Sequence, residues 1–338
     1  MASGSVLTIL LNYRTPAMTL RAAEAALAAM EDLPGELVIV DNDSRDGSFE
    51  ALTEAAAARG WHDSGRVRVL ASGRNGGFGA GMNFGIAAGL SDGSAPDYYY
   101  LLNSDAFPEA GTIRILRDFL ASRPGAGLAG SYVHGEDGTP HRTAFRFPSI
   151  AGEFEASVRF GPVTRLLRPW IVAMEIPPEE TQVDWTAGAS LMIRREVIEE
   201  TGGFDESFFL YFEETDLCRR AARSGWRTHY VPRSRIAHIG SVSTGMKAWA
   251  RTPGYYFDSR LHYFTKSHGP AYAAAATLAR LAGGLIWQAR RLLQGKPALD
   301  PPQYLGDLLA HSLRAPFRRR AAPTSETRCP DPVPEEQK

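Results

Sequence analysis

Short apolar runs that alternate with helical stretches constrain this chain more than any other feature. Val6–Leu11 (VLTILL), Glu36–Val40 (ELVIV) and Tyr98–Leu102 (YYYLL) lack the in-out alternation of a half-solvated strand. They read as strands buried on both faces, with a further strand over Val67–Leu70. Helical patterns lie over Ala17–Met30, Phe49–Arg59 and Glu109–Ala121, and Thr15-Pro16 supplies an N-cap and first-turn pair for the first of them. This order predicts an α/β fold built on a mostly parallel sheet with helices on both faces. Ligands of such sheets sit beyond the carboxyl ends of the strands. The residues to read for function are therefore Asn12 to Arg14, Asp41 to Asp43, Ser72 to Gly77 and Asn103 to Ala106.

Two of these stretches carry a chemical signal. Arg74-Asn75-Gly76-Gly77-Phe78-Gly79-Ala80-Gly81-Met82-Asn83 runs into a helix. Its glycines let backbone N–H groups approach an anion, and Arg74 adds a bidentate phosphate donor. The competing use is close packing of the helix. The spacing does not match G-x-G-x-x-G and follows the third strand, which argues against a dinucleotide-binding oxidoreductase. Asn103-Ser104-Asp105 puts a carboxylate at a strand end, where it can hold a hard divalent cation against phosphate oxygens. Shaping a turn is the other use of those residues.

Downstream, Trp185 to Ala221 concentrates the remaining chemistry. A tight Trp-Thr-Ala-Gly-Ala segment containing Gly188 leads into an apolar strand, a short charged helix and a Gly202-Gly203 turn. Phe208, Phe209 and Tyr211 follow, and then Glu213, Glu214 and Asp216 head another helix. Such clustering reads as a working site, although acids also favour a first helical turn through the helix dipole alone. Crowding by Glu213 and Asp216 is expected to raise the pKa of one acid. Core packing is the commoner use of the aromatics, so Trp185 alone is singled out among them. Gly188 allows close approach of a ligand. Between Gly125 and Trp170 the pattern predicts a strand near Leu128–Val133 and a hairpin turn at Gly-Glu-Asp-Gly, then an unassigned stretch.

Composition bounds the rest. The 338 residues, 44 % apolar and 22 % charged with a net charge of −1, are those of a globular protein, without the basic field that nucleic acid requires. Cys218 and Cys329 are too far apart in sequence and context for a disulfide framework or cysteine metal site. The N-terminus lacks the pattern of a signal peptide, and Ala271–Leu293 is interrupted by arginines. The expectation is a cytoplasmic chain, with peripheral contact at the inner face of the membrane as a further role.

The ordered set VLTILLNYRTP, LVIVDNDSRDGS, GRNGGFGAGMNFGI, YYYLLNSDAFP, DWTAGASLMIRREVIEETGGFDESFFLYFEETDLCRRAARSGW and IAHIGSVST resembles glycosyltransferase family 2, in its rhamnosyltransferase-like branch, over residues 5 to 270. The resemblance implies a GT-A fold with a Rossmann-like nucleotide-binding sheet. It implies a catalytic domain over 1–245, with a nucleotide-binding half to about 125 and an acceptor half beyond. A helical C-terminal extension over 246–320 and a disordered tail over 321–338 follow.

It further implies that Asn12, Asp41 and Arg74 hold the base and ribose of a nucleoside-diphosphate sugar. Together with the strand-end and loop residues, the nucleotide-sugar set is Asn12, Arg14, Asp41, Asp43, Arg74, Asn75, Gly77, Asn83, Asn103 and Ser104. Asp105 matches the metal-binding Asp of a D-x-D element whose first acid is here Asn103, and His238 matches a histidine that completes the site for Mg2+ or Mn2+. Glu214 matches the catalytic base, with Glu213 as its rival and Asp216 beside them, and Trp185 and Gly188 face acceptor or sugar. A metal would stabilise the leaving diphosphate, while a carboxylate deprotonates the acceptor hydroxyl. One base and direct displacement imply inversion.

The implied donor is dTDP-rhamnose and the implied acceptor a glycan or lipid-linked glycan. A nucleotide-sugar-binding module without turnover and a sugar nucleotidyltransferase are the alternatives. The aromatic and basic helix over Tyr255–Phe264, the Ala271–Leu293 helix and the cluster Arg314, Phe317, Arg318, Arg319 and Arg320 suit anionic lipid. Packing on the catalytic domain or in a homodimer suits them equally.

Overall fold

The computed structural model describes residues 4–62, 64–240 and 249–314. Arg318 to Arg320, Phe317, Cys329, the 321–338 tail and the end of the IAHIGSVST motif lie outside them.

The expected alternation runs through the first half: β1 (Val6–Asn12), α1 (Pro16–Ala29), β2 (Gly35–Asp41), α2 (Ser48–Ala58), β3 (Val67–Ala71), α3 (Phe78–Ala87) and β4 (Tyr98–Asn103). Then come β5 (Ala106–Pro108), α4 (Thr112–Ala121), β6 (Ala126–His134), β7 (Pro140–His141), β8 (Ala144–Phe145), α5 (Ile150–Val158), α6 (Gly161–Leu166) and a single turn at Arg168–Trp170. The second half carries β9 (Thr181–Val183), β10 (Trp185–Thr186), β11 (Ser190–Arg194), α7 (Arg195–Thr201), α8 (Glu213–Arg223), β12 (Arg227–His238), α9 (Gly254–His268), α10 (Pro270–Leu293) and α11 (Tyr304–Arg314).

One mixed sheet runs in the order β3-β2-β1-β4-β11-β6-β12-β5, with β7 and β9 pairing on β6 and β12. Strands β3, β2, β1 and β4 are mutually parallel, as the buried runs predict. Alternate residues serve opposite faces. Val6, Leu10, Leu37, Ile39, Tyr100 and Leu102 pack with α1, α2 and α4, whereas Leu7, Ile9, Val38, Val40 and Leu101 pack with α3, α7 and α8. The parallel register sets Asn12 beside Asp41 and Leu11 beside Asn103, so three strand ends share one edge.

Three departures from the sequence reading have local causes. The sheet is not parallel throughout, because β11 enters antiparallel between β4 and β6. It is reached through a loop after β10, so no crossover helix imposes parallel direction. The helix expected from Glu109 begins at Thr112, since Ala106–Pro108 pair with β12 instead. Thr15 occupies the N-cap and Pro16 the first turn of α1, but its hydroxyl turns to Ser104 at 3.3 Å rather than to the helix.

Past β12, α9, α10 and α11 form a helical layer that also takes up α5. Arg260 on α9, 2 % exposed, donates to the Glu153 carboxylate of α5 at 2.7 and 3.2 Å and to the Thr277 hydroxyl of α10 at 3.1 Å. Removing the acid strands a buried cation, so Glu153→Ala is expected to cost about 3–5 kcal/mol. Glu153→Leu with Arg260→Met should recover most of that loss in a urea titration. A single variant as stable as the parent would disprove the clamp.

Candidate active site

The first corner lies at the ends of β1 and β2. Asn12 is fully buried; its amide donates to Asp41 Oδ1 at 2.7 Å and to Ser44 Oγ at 3.2 Å, and its oxygen accepts from Thr19 at 2.7 Å. Asp41 is almost as buried, and accepts from the Ser44 hydroxyl at 2.5 Å and its N–H at 3.1 Å. Arg14 donates from its backbone N–H to Ser44 Oγ and from Nε to Ser44 O. Ser44 is therefore the hub of this corner. The sequence reading passed over it because a serine in a polar turn looks like a helix cap.

Asn12 is spent on holding Asp41. Arg14, Asp43 and Arg45 are among the side chains that reach solvent here, the last two paired at 2.7 Å. All three have left-handed backbones, with φ of 57°, 58° and 55°. Such clustered strain is held by surrounding bonds and is typical of binding corners.

The glycine-rich loop uses its glycines mainly for packing. A Cβ on Gly77, at φ 87°, would lie 1.8 Å from Phe209 O; on Gly81 it would meet Leu11, and on Gly85 it would meet Ile9. The Phe78 N–H donates to the same Phe209 carbonyl at 3.1 Å. Asn75 accepts from the Gly77 N–H at 3.0 Å and from the Asn42 amide at 3.1 Å, tying the loop to β2. Asn83 exchanges bonds with the Phe204 backbone at 2.9 and 2.8 Å and donates to Glu206 at 3.1 Å. Arg74 is exposed and ion-paired with Glu206. Phe204 and Glu206 went unnoticed in the sequence, where nothing links them or Asn42 to the loop.

At the end of β4, Asp105 is 5 % exposed and lies 3.1 Å from His238 Nε2, with the Asn103 amide 3.4 Å from the same nitrogen. The pairing of Ala106 with His238 in β5 and β12 brings them together, and Asp105 O accepts from the Ile239 N–H at 3.1 Å. Ser104 faces inward to Thr15. Among the described residues no group of three or more His, Cys, Asp or Glu is placed to hold a metal. The donor set nevertheless fits a divalent ion of the Mg2+ or Mn2+ type. Such ions take one or two protein carboxylates and leave most positions to phosphate and water, and two neighbouring ligands about 2.1 Å from an octahedral centre lie about 3 Å apart.

On the far side of β4, the Asn103 N–H donates to Ala189 O at 3.3 Å, which sets Gly188 next to this corner. The Gly188 backbone hydrogen-bonds the Glu214 carboxylate, and a Cβ on Gly188 would stand 3.4 Å from the Phe78 ring and 3.9 Å from Glu214 Oε1. Trp185 stacks on Phe145 with ring centroids 4.1 Å apart and donates from Nε1 to Arg146 O at 3.0 Å. Phe208 and Phe209 are core.

The profile of glycosyl transferase family 2 matches residues 5–201, and that of glycosyl transferase family group 2 matches residues 180–298. The chain belongs to glycosyl transferase family 2. This transferase is 32 % identical over 231 residues to the N-acetylglucosaminyl-diphospho-decaprenol L-rhamnosyltransferase of Mycobacterium tuberculosis, covering 65 % of this chain and 72 % of that one. It is 40 % identical over 68 residues to rhamnosyltransferase WbbL of Escherichia coli, 19 % of this chain and 26 % of the other. Its fold is that of the mannosyltransferase PcManGT of Pyrobaculum calidifontis, solved with GDP-Man and Mn2+. The TM-score is 0.56 at 16 % identity, over 93 % of this chain and 81 % of that one. GalNAc-T7, solved with UDP, GalNAc and Mn2+, gives 0.56 at 15 % identity over 92 % and 55 %. The GT-A architecture and the C-terminal helices are both present.

The acids of the transferase separate into two kinds. The sequence led us to expect that Asp216 crowds the glutamates; instead, 2 % exposed, it faces away to two cations. Its carboxylate accepts from Arg220 at 2.7 Å and from Lys266 at 2.8 Å, and Arg220 also holds the Thr201 and Gly203 carbonyls. Lys266 reaches Asp205 as well, at 2.9 Å. The His262 hydrogen bond, with Lys266 and Ser207, holds Asp205 far below the usual carboxylate range.

Among the described residues, Glu213 and Glu214 have no such cations. Each has one buried oxygen without a hydrogen-bond partner. Burial, and then the Glu214 charge, push the Glu213 carboxyl well above its ordinary value; burial raises Glu214 too, opposed by backbone hydrogen bonds. Glu213 is 4 % exposed and lies against Gly79 of α3, whereas Glu214 is half-buried beside Gly188. Cys218 is a buried thiol pushed up to about 12, inert at neutral pH.

A carboxyl whose pKa is raised by folding binds its proton more tightly in the native chain. Stability therefore falls as pH rises from the unfolded glutamate value of about 4.3 through the raised folded value. Glu213→Gln should remove that slope. Its Tm relative to the parent is expected to be lowest below about pH 4 and to climb as pH rises. A calorimetric difference that stays flat across pH would overturn the assignment.

Proposed function

We propose that this glycosyltransferase moves L-rhamnose from dTDP-rhamnose to a hydroxyl of a lipid-linked glycan, with inversion at the anomeric carbon. The observation that carries the reading is the divided site. Glu214 stands beside Gly188 on the β11 side of the β4–β11 junction, and Asp105 and His238 stand at the same end of the junction on its β4 side. The L-rhamnosyl donor and the lipid-linked acceptor rest on the Mycobacterium tuberculosis relative, whose name states both an L-rhamnosyl transfer and a diphospho-decaprenol acceptor.

Glu214 is the base. It is the more accessible of the two glutamates, and its raised pKa suits it to take a proton from a hydroxyl at working pH. Glu213, closed in under α3, keeps a second negative charge out of the site if it stays protonated, which is the form burial favours. Asp105 and His238, with the Asn103 amide beside them, would hold a divalent cation. When bound, that cation supplies Lewis-acid stabilisation of the charge on the departing diphosphate. Arg14 and Asp43, at the solvent edge of the β1–β2 corner, offer a cation and an acceptor to the nucleotide, with Asp41 held behind them by Asn12 and Ser44.

Glu214→Gln is expected to lower transfer by about 100- to 10,000-fold while dTDP binding is retained. Asp105→Asn should weaken Mn2+ binding in the presence of dTDP by about tenfold or more, read by titration calorimetry. A donor panel read by mass spectrometry tests the sugar. Normal turnover in Glu214→Gln would remove the base, and preference for another nucleotide sugar would remove rhamnose but leave the acid and metal assignments standing.

A further inference from the structure

The solvent side of α10 is apolar along most of its length. Leu278, Leu285, Ile286, Leu292 and Leu293 are exposed, the last two 73 % and 89 %. Exposed Ala282 and Ala289 fall between them at helical spacing. The opposite side is already used: Ala273, Ala276, Gly283, Gly284 and Trp287 are buried where α10 meets α5, α9 and α11. A helix packed on one side ordinarily turns polar residues to water on the other.

The connection between α5 and α6 extends this surface. Phe160 lies under the Arg290 guanidinium at 4.2 Å, and Arg290 also donates to Val158 O and Arg159 O at 3.3 and 3.1 Å. Leu166 and Trp170 follow, both exposed.

Within the two segments the charge is of one sign. Residues 156–170 contain Arg159, Arg165 and Arg168 and no acid; residues 270–299 contain Arg280, Arg290, Arg291 and Lys296 and no acid. Arg159 pairs with Asp300, and Arg280 packs on Tyr304. Arg165 and Arg168 on the α6 segment and Arg290, Arg291 and Lys296 on and just after α10 remain, with Glu175 3.9 Å from Arg168.

We infer that α10 and the α6 segment dock the enzyme on an anionic lipid surface. The leucines and Trp170 enter the acyl boundary, and the basic residues meet the headgroups. An apolar face whose rim is mainly basic complements such a surface in both respects. A second copy of the same face would set like charges across the seam with no acid from either segment to pair them. Among the described residues no helix is long and apolar enough to cross a membrane, and α10, buried on its other side, is placed to lie along one. The inference goes beyond sugar transfer, and its test needs no turnover.

The full chain is floated with phosphatidylcholine vesicles, with and without phosphatidylglycerol, at low and high salt. Recovery with the phosphatidylglycerol vesicles is expected, and high salt should reduce it. Leu285→Glu with Leu292→Glu, and separately Arg165→Ala with Arg168→Ala and Arg291→Ala, should each weaken it by about tenfold or more. Circular dichroism melts verify that each variant folds; if the glutamate pair melts early, Leu292→Ser with Leu293→Ser gives the same readout. No flotation, equal flotation on both vesicle types, or flotation indifferent to the leucine changes would overturn the inference. So would light scattering that shows a dimer dissociated by those changes.

Discussion

The pairing of β11 against β4 is the constraint on which the site depends. Strand β4 has β1 and β2 on one flank and β11 on the other. Because Ser190 stands opposite Leu102, the Asn103 N–H meets Ala189 O, and Gly188 arrives next to the Asp105–His238 corner. A slip of one residue would turn Ser190 and Met192 to the wrong face. It would also break the buried hydroxyl chain in which Ser190 meets Tyr100 at 2.8 Å and Ser131 at 2.7 Å. Register, packing and the meeting of the two half-sites are therefore one event.

The acid helix is held to that junction by charge and by strain. Lys266 and Arg220 neutralise Asp216, and through it they fasten the first turn of α8 to α9 and to the Gly202–Gly203 turn. With Asp216 satisfied, Glu213 and Glu214 are the carboxylates left to burial and to each other. The chain enters α8 through Tyr211 and Phe212, both left-handed at φ 69°. Each such residue costs on the order of 1–3 kcal/mol. Packing of Phe212 on Tyr256 and Tyr263, and of Tyr211 near Trp249 and Tyr256, offsets it. Helices α9 and α10 thus serve the site from behind while α10 turns its other side outward.

How much was legible follows the range of the interactions. Strands β1, β2 and β4 could be read to within a residue or two, because a strand buried on both faces must be a continuous apolar run. The acids at the head of α8 and the strand-end polar residues stood out by composition and order. Glu206 and Lys266 did not, since each acts through partners tens of residues away and looks locally like a solvated charge, and Ser44 looked like a cap. The stretch between Gly125 and Trp170 resisted assignment for a related reason. Its β8 strand is two residues long and exists by pairing with β10 and with Ala173, and α5 is completed by α10.

The amino-acid sequence by itself determined the α/β class, the strand ends that carry polar groups, and the set of acids available for chemistry. These depend on local periodicity and residue type. Only the tertiary structure decided what each polar group does. Asn12 turned inward to hold Asp41, Gly77 went to packing against Phe209, and Asp216 became an ion-paired anchor while Glu214 was left facing the Gly188 side. The physical reason is that burial and partner choice are long-range: a carboxylate becomes a base or a structural anchor according to which cations the fold brings to it.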